Sequence, residues 1–216
     1  LLDAISYAKE NNKNIHLLGL VSNGGIHSHI EHLKGLLDVA AENNAENVYL
    51  HAFTDGRDCD PKSGKFFINA IEEHMAKTTG ELATITGRYF AMDRDKRWER
   101  VKIAYDGLVN STGEKSMNAA ESIEKSYANN VTDEFIQPII MTDDSGSPKA
   151  KIKKDDVIIF FNYRTDRGRE LTEVLTQQDY PEFGMKTMPL HYVTITNYDE
   201  KFKGINVIYN TDNLEN

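Results

Sequence analysis

The sequence is poor in the residues that mark several protein classes. Its single cysteine, Cys59, excludes an intramolecular disulfide and fits a reducing compartment, so a cytoplasmic location is expected. No stretch approaches the roughly eighteen consecutive apolar residues that a membrane span needs, so no membrane association is expected. Positive charge is scarce: 25 Lys and Arg against 34 Asp and Glu leave a formal net charge of −9, which argues against nucleic acid as a partner. There is no Walker loop, no G-x-G-x-x-G, no G-x-S-x-G and no Cys or His pair at zinc spacing, and no residue stands out as a nucleophile. Internal repeats and low-complexity segments are absent too. The chain opens at Leu1 without Met or a signal-like segment and stops at Asn216 after a polar run, so a domain excised from a longer protein is expected, with some chemistry lying outside it.

What is present is a patterned set of arginines. Seventeen lysines are scattered, but the eight arginines all sit just beyond apolar, β-prone runs: Arg57; then Arg88, Arg94, Arg97 and Arg100; then Arg164, Arg167 and Arg169. Solubility needs only lysine, whereas a planar fork of donors is wanted where a carboxylate or phosphate is gripped at two points. Arg97 and Arg100 lie in a helical pattern and read as helix-face ion pairs. Arg57, Arg88, Arg94, Arg164 and Arg167 read as an anion site, a local positive pocket in a negative molecule.

At 216 residues one α/β domain is the default. A helix over residues 3–12 precedes Ile15–Val21, a nearly continuous apolar run of the kind found in strands covered on both faces. Ser22-Asn23-Gly24-Gly25 follows. Ser28 and Glu31 then form a capping-box pattern before a helix with Ile30, Leu33, Leu37 and Ala40 on one face. The unit repeats: strand 48–53, a turn at 55–61, and a helix marked by Phe67, Ala70, Ile71 and Met75 that ends at Gly80. Strand 82–86 precedes a helix marked by Trp98, Val101, Ala104, Tyr105 and Leu108. Regularity lapses from Ser111 to Asp155, where an irregular insertion with one short helix is expected. Strand 157–161, a turn at 162–167 and a helix through Leu171, Val174 and Leu175 restore the pattern, and 191–196 and 205–209 are further strands. The expectation is an α/β fold: a mostly parallel sheet with helices on both faces, in a single domain with an irregular insertion. In such folds ligands bind beyond the carboxyl ends of the strands, so the turns at 22–29, 54–60, 87–94 and 162–167 are expected to open on one edge.

Within those turns the chemistry is specific. Gly24-Gly25 before a helix suggests an anion seat on backbone N–H groups, and His27, in the turn itself, suits a ligand-contacting or proton-handling role. His29, His32 and His74 read as helix-surface residues, and His16, His51 and His191 as core or edge histidines. Asp55-Gly56-Arg57-Asp58-Cys59-Asp60 lacks the distal Glu of a calcium loop. Two readings of Asp58 fit equally: a proton-transferring group acting on a substrate hydroxyl, or a turn cap. Arg164 and Arg167 are spaced to face one ligand if the second lies in a first helical turn, and Asp166 between them suits an N-cap or an ion pair.

Four motifs together, Ser-Asn-Gly-Gly-Ile-His-Ser-His at 22–29, His-Ala-Phe-Thr-Asp-Gly-Arg-Asp at 51–58, Gly-Arg-Tyr-Phe-Ala-Met-Asp-Arg-Asp at 87–95 and Phe-Asn-Tyr-Arg-Thr-Asp-Arg at 161–167, resemble the cofactor-independent (2,3-bisphosphoglycerate-independent) phosphoglycerate mutases. The resemblance runs over essentially the whole chain, but only over one of that family's two domains, so residues 1–216 would be its phosphotransferase, or substrate-binding, domain. It implies that His27, Arg57, Asp58, Arg88, Arg94, Arg164 and Arg167 surround the glycerate part of 2- or 3-phosphoglycerate, with Asp58 exchanging a proton with the 2- or 3-hydroxyl. It implies no metal on this chain. The phosphorylated serine and two manganese ions would belong to an alkaline-phosphatase-like metal-binding domain, the chain's implied partner, and a phosphate-reaching lysine would lie beyond Asn216. Asn23, where many members have Asp, and Thr165, where Pro is common, depart from the family pattern without removing a charged contact. The implied activity is a glycolytic and gluconeogenic isomerase, with this chain inactive alone. Two other readings fit the residues: a stand-alone binding module for a small anionic phosphorylated metabolite, and a metal-dependent hydrolase built on His27, His29, Asp55 and Asp58.

Overall fold

A computed structural model describes residues 1–210; the last six residues of the expected 1–216 domain lie outside the described part. In chain order the elements are α1 (Leu2–Glu10), β1 (Ile15–Leu20), α2 (Ile30–Glu42), β2 (Val48–Thr54), α3 (Gly64–Met75), β3 (Glu81–Gly87), α4 (Arg88–Ala91), α5 (Trp98–Tyr105), β4 (Glu114–Ser116), α6 (Ala119–Ala128), β5 (Ile139–Met141), β6 (Val157–Phe160), α7 (Arg169–Thr176), β7 (His191–Thr196) and β8 (Ile205–Tyr209). The strands form one eight-stranded sheet in the order β4-β5-β3-β2-β1-β6-β7-β8. Every pairing is parallel except β3 with β5.

The apolar runs become central strands because both sheet faces are covered. All six residues of β1 are buried, and successive residues feed opposite cores: Leu17 packs with α1, α2, α3 and α6, and Leu18 with α4, α5 and α7. The helices use their apolar stripes as the 3.6-residue period requires, Leu33 and Leu37 of α2 on one side, Leu171, Val174 and Leu175 of α7 on the other. The expected α/β architecture, mostly parallel with helices on both faces, is therefore the observed one.

The irregular segment from Ser111 to Asp155 does more than interrupt the pattern. Its short strands β4 and β5 extend the sheet at one edge, and α6 packs on the face covered by α3. Residues 133–136 run against the ends of β2 and β3: Thr54 donates to the Asp133 carbonyl at 2.7 Å, and the Gly87 amide donates to the Ile136 carbonyl at 2.7 Å. Gly87 permits this, since a Cβ there would lie 2.3 Å from the Glu134 carbonyl oxygen. Strands of three residues carry too little periodicity to be read from sequence.

One polar row crosses the sheet interior. Asp156, at the start of β6, bonds His16 of β1 at 3.0 Å, His16 bonds His51 of β2 at 2.9 Å, and His51 bonds Thr84 of β3 at 2.9 Å. His16 and His51 are the expected core histidines, His191 is half-buried against Tyr7, and His74 pairs with Asp38.

Candidate functional site

The four turns meet at the carboxyl edge of the parallel strands. The Ser22 hydroxyl donates to Asp55 Oδ2 at 2.6 Å, joining the turns after β1 and β2. Asp55, 1% exposed, also accepts the backbone N–H groups of Arg57 and Asp58 on Oδ1 at 3.1 and 3.0 Å. Gly24 is where these turns come closest, since a Cβ on it would stand 2.8 Å from the Asp58 Cβ. The turn after β6 is tied on through the His27 carbonyl, which accepts from the Tyr163 amide at 2.8 Å.

Arg88 enters as the first residue of α4, directly after β3. Its buried Nη1 donates to Asp55 Oδ1 and to Asp58 Oδ2, both at 2.7 Å. The carboxylate that caps the turn is Asp55, while the Asp58 carboxylate faces Arg88 and stands 3.9 Å from His27 Nε2, one-fifth exposed. Burial works to raise the carboxyl pKa of Asp55, but bonds from the Asp58 and Arg57 backbones, Ser22 and Arg88 outweigh it and hold the value low. For His27, burial and the Arg88 charge push the pKa down to about 4 against the pull of Asp58 and Asp166, so the ring is neutral near pH 7.

A cleft of about 320 Å³ is lined by Arg57, Arg88, Arg94, Arg97, Arg100 and Arg167 and walled by Glu134 and Phe135. Arg57 reaches Glu134 at 3.4 Å and is half exposed. Arg167 donates to the Met92 carbonyl at 2.9 Å, and its pKa is lowered by burial and by the charges of Arg94, Arg88 and Arg57. Such mutual repulsion among guanidinium groups is relieved by an anion. Arg164 lies beside this group and pairs with Asp166, as does Arg94. Arg97 and Arg100 form the expected ion pairs, Arg97 with Asp93 and Asp95 and Arg100 with Asp93, and Arg100 stacks on Tyr89 at 3.8 Å.

Several local expectations change. The Ser28–Glu31 capping box does not form: the Ser28 hydroxyl donates to the Leu20 carbonyl, and His29 caps α2 by accepting from the Glu31 amide at 3.2 Å. Gly24 and Gly25 therefore sit five and four residues short of that cap and bring turns together, so they form no helix-terminal anion seat. Arg167 precedes α7, whose first residue is Arg169, and Asp166 is an ion-pair partner, the N-cap position falling to Gly168. Sequence reasoning missed Asp55 as the hub, although an Asp accepting the amides two and three residues on is a standard turn pattern that marks it. Glu134 carried no local signal because its neighbours come from β2 and β3.

A family model described as "BPG-independent PGAM N-terminus" matches residues 1–200. The chain belongs to this family. Among similar proteins, the 2,3-bisphosphoglycerate-independent phosphoglycerate mutases of Flavobacterium psychrophilum and Bacteroides fragilis are 59% and 54% identical over 99% and 100% of this chain. The chain spans 42% of the length of each. A solved structure of Leishmania mexicana phosphoglycerate mutase, at low cobalt concentration, superposes with a TM-score of 0.86 at 27% identity, over 91% of this chain and 38% of that one.

The two manganese ions implied by the family resemblance find no seat among the described residues. No group of three or more His, Cys, Asp or Glu there is arranged to hold a cation. Where Asp55 and Asp58 come together, the Arg88 guanidinium already occupies the space between them. That arrangement also tells against the hydrolase reading on His27, His29, Asp55 and Asp58, since His29 Nδ1 is spent on capping α2.

Proposed function

We propose that this family member holds the glycerate part of 2- or 3-phosphoglycerate for a cytoplasmic phosphoglycerate mutase, and that residues 1–216 are the substrate-binding domain of a longer polypeptide whose remaining part supplies the phosphorylated serine and the manganese site. The observation that carries this reading is the convergence of Arg57, Arg88, Arg94 and Arg167 on one cleft beside an Asp58 carboxylate that caps nothing. Guanidinium forks suit the carboxylate and phosphate of a phosphoglycerate, and their fixed spacing orients the chain between them. Asp58 then exchanges a proton with the 2- or 3-hydroxyl as phosphate leaves or returns. Arg88, locked between Asp55 and Asp58, sets where that carboxylate points. His27, neutral and buried, lies within one small movement of Asp58 and offers a ring nitrogen to the same hydroxyl.

The test is calorimetry on this chain with 3-phosphoglycerate and with glycerate, alongside activity assays. Binding of 3-phosphoglycerate that is lost in Arg88→Ala, with no turnover by the chain alone and turnover by the longer protein, is the expected outcome. Turnover by the rigorously purified chain, or a longer protein without mutase activity, overturns the reading; the latter, with binding retained, leaves a stand-alone binding module.

A further inference from the structure

His27 is 3% exposed, and its Nδ1 has no hydrogen-bond partner. Leaving a buried polar atom unpaired costs about 1–3 kcal/mol, so such an atom in a site calls for an explanation. The nearest carboxylate oxygen is Asp166 Oδ1, at 4.0 Å, just out of bonding range. What keeps Asp166 away is visible in its other contacts. Its Oδ2 accepts from Arg94 Nη1 at 2.8 Å and Arg164 Nη2 at 3.1 Å, and its Oδ1 accepts from Arg164 Nε at 2.9 Å. Arg164 thus grips the carboxylate with two parallel bonds while Arg94 closes from the turn after β3, which is how guanidinium groups hold a bound carboxylate or phosphate.

We propose that Asp166 is an internal stand-in for the ligand's anion: it occupies the Arg94–Arg164 seat in the unliganded protein, yields that seat to the ligand's carboxylate or phosphate, and then accepts the hydrogen bond of His27 Nδ1. The inference rests on the reading of Arg94 and Arg164 as anion-holding residues. Displacement is inexpensive because every group involved has a second partner. The arginines exchange one anion for another, and Asp166, a quarter exposed, exchanges two guanidinium contacts for the orphaned nitrogen beside it. The exchange also has a chemical consequence. A neutral imidazole carries one ring proton; once Asp166 accepts a hydrogen bond from Nδ1–H, Nε2 is left as an acceptor for the ligand's hydroxyl, which lies between it and Asp58. Ligand arrival thereby fixes the tautomer of His27, which makes Asp166 a positioning residue. The charged groups facing His27 in this exchange are Asp58, Arg88, Asp166 and Arg164.

Asp166→Asn separates this role from a merely structural one by the sign of its effect. If Asp166 only organises the arginines, its loss weakens anion binding. If it competes for their seat and fills it about nine-tenths of the time, its removal tightens binding about tenfold. The experiment titrates the parent chain and Asp166→Asn with 3-phosphoglycerate and with inorganic phosphate. Asp95→Asn serves as control, removing an equal charge from the adjoining arginine cleft, where Asp95 pairs with Arg97, without touching Arg94 or Arg164. Tighter binding of either probe by Asp166→Asn than by both other proteins supports the proposal; if phosphate alone responds, the substrate reading falls and the displaceable seat stands. Equal or weaker binding of both probes, or an equal gain in Asp95→Asn, overturns it. Nitrogen-15 spectra of His27 in the unmutated chain give a measure independent of any variant: ligand should convert the ring to the form protonated at Nδ1, and an unchanged ring at saturating ligand overturns the proposal.

Discussion

Two clusters of buried polar groups lie on the same sheet and differ in how completely they are paired. The row Asp156–His16–His51–Thr84 inside the sheet leaves no ring nitrogen alone: with Asp156 ionised the protons run one way, Thr84 donating to His51, His51 to His16 and His16 to Asp156, and each ring stays neutral. The cluster at the strand ends is incomplete: His27 Nδ1 has no partner, Nε2 stops 3.9 Å from Asp58, and six arginines line one cleft. A fully satisfied network rigidifies a fold, whereas a partly satisfied one keeps bonding capacity in reserve for something that arrives. The first cluster reads as structure and the second as site.

The sharpest way to break that contrast is at Asp58. Asp58→Asn in the longer protein keeps the shape of the Arg88 contact but cannot take a proton, so turnover should fall roughly 10²–10⁴-fold with substrate affinity little changed. A variant within a few-fold of the parent would move Asp58 into the structural class. In the interior row the effect should appear in stability instead. His51→Leu orphans His16 Nδ1 and Thr84 Oγ1, at about 1–3 kcal/mol each, and a urea titration should register this while turnover per folded molecule stays normal. Arg164→Lys and Arg167→Lys should each cost about 2–3 kcal/mol of transition-state stabilisation, the scale of a charge-assisted hydrogen bond, because lysine cannot fork; near-normal kcat/KM in both would return these residues to surface ion pairing.

Acid tests the two clusters together. The His27 pKa lies at about 4 in the fold against 6.5 ordinarily, so the unfolded chain binds a proton that the folded chain refuses. Stability should therefore fall as pH drops from about 6.5 towards 4, by no more than about 1.4 kcal/mol per pH unit for this group. His51, held low by burial and by His16, acts in the same direction. Glu170 opposes them. Burial raises it to about 7, with Asp93 beside it, so its contribution is present at acid pH and is lost as pH rises from about 4.5 through 7. His27→Gln should accordingly be less acid-sensitive than the parent, and Glu170→Gln should lose less stability between pH 5 and 8; urea midpoints at these two pH values check both. The smallest effect belongs to the exposed Lys34–Glu31 pair at 2.8 Å, where Lys34→Ala should cost less than about 0.5 kcal/mol.

By itself the sequence determined the layered architecture, because the apolar runs of β1, β2, β3 and β6 and the 3.6-residue stripes of α2, α3 and α7 are local patterns that only a parallel sheet covered on both faces can bury. It also pointed to the turns of the candidate site, since five of the eight arginines lie in the turns after β2, β3 and β6 and the ends of parallel strands share one edge. The tertiary structure alone decided the roles within that edge. Asp55 and Asp58 are joined through one guanidinium, Asp166 sits on the arginines rather than on a helix end, and Glu134 enters the cleft from a segment without visible periodicity. Each of these depends on a partner at least thirty residues away, such as Arg88 for Asp55 and Asp58 or Arg94 for Asp166. The two strands β4 and β5 went unread for a related reason: at three residues each they are held in place by pairing with a neighbour rather than by a pattern of their own.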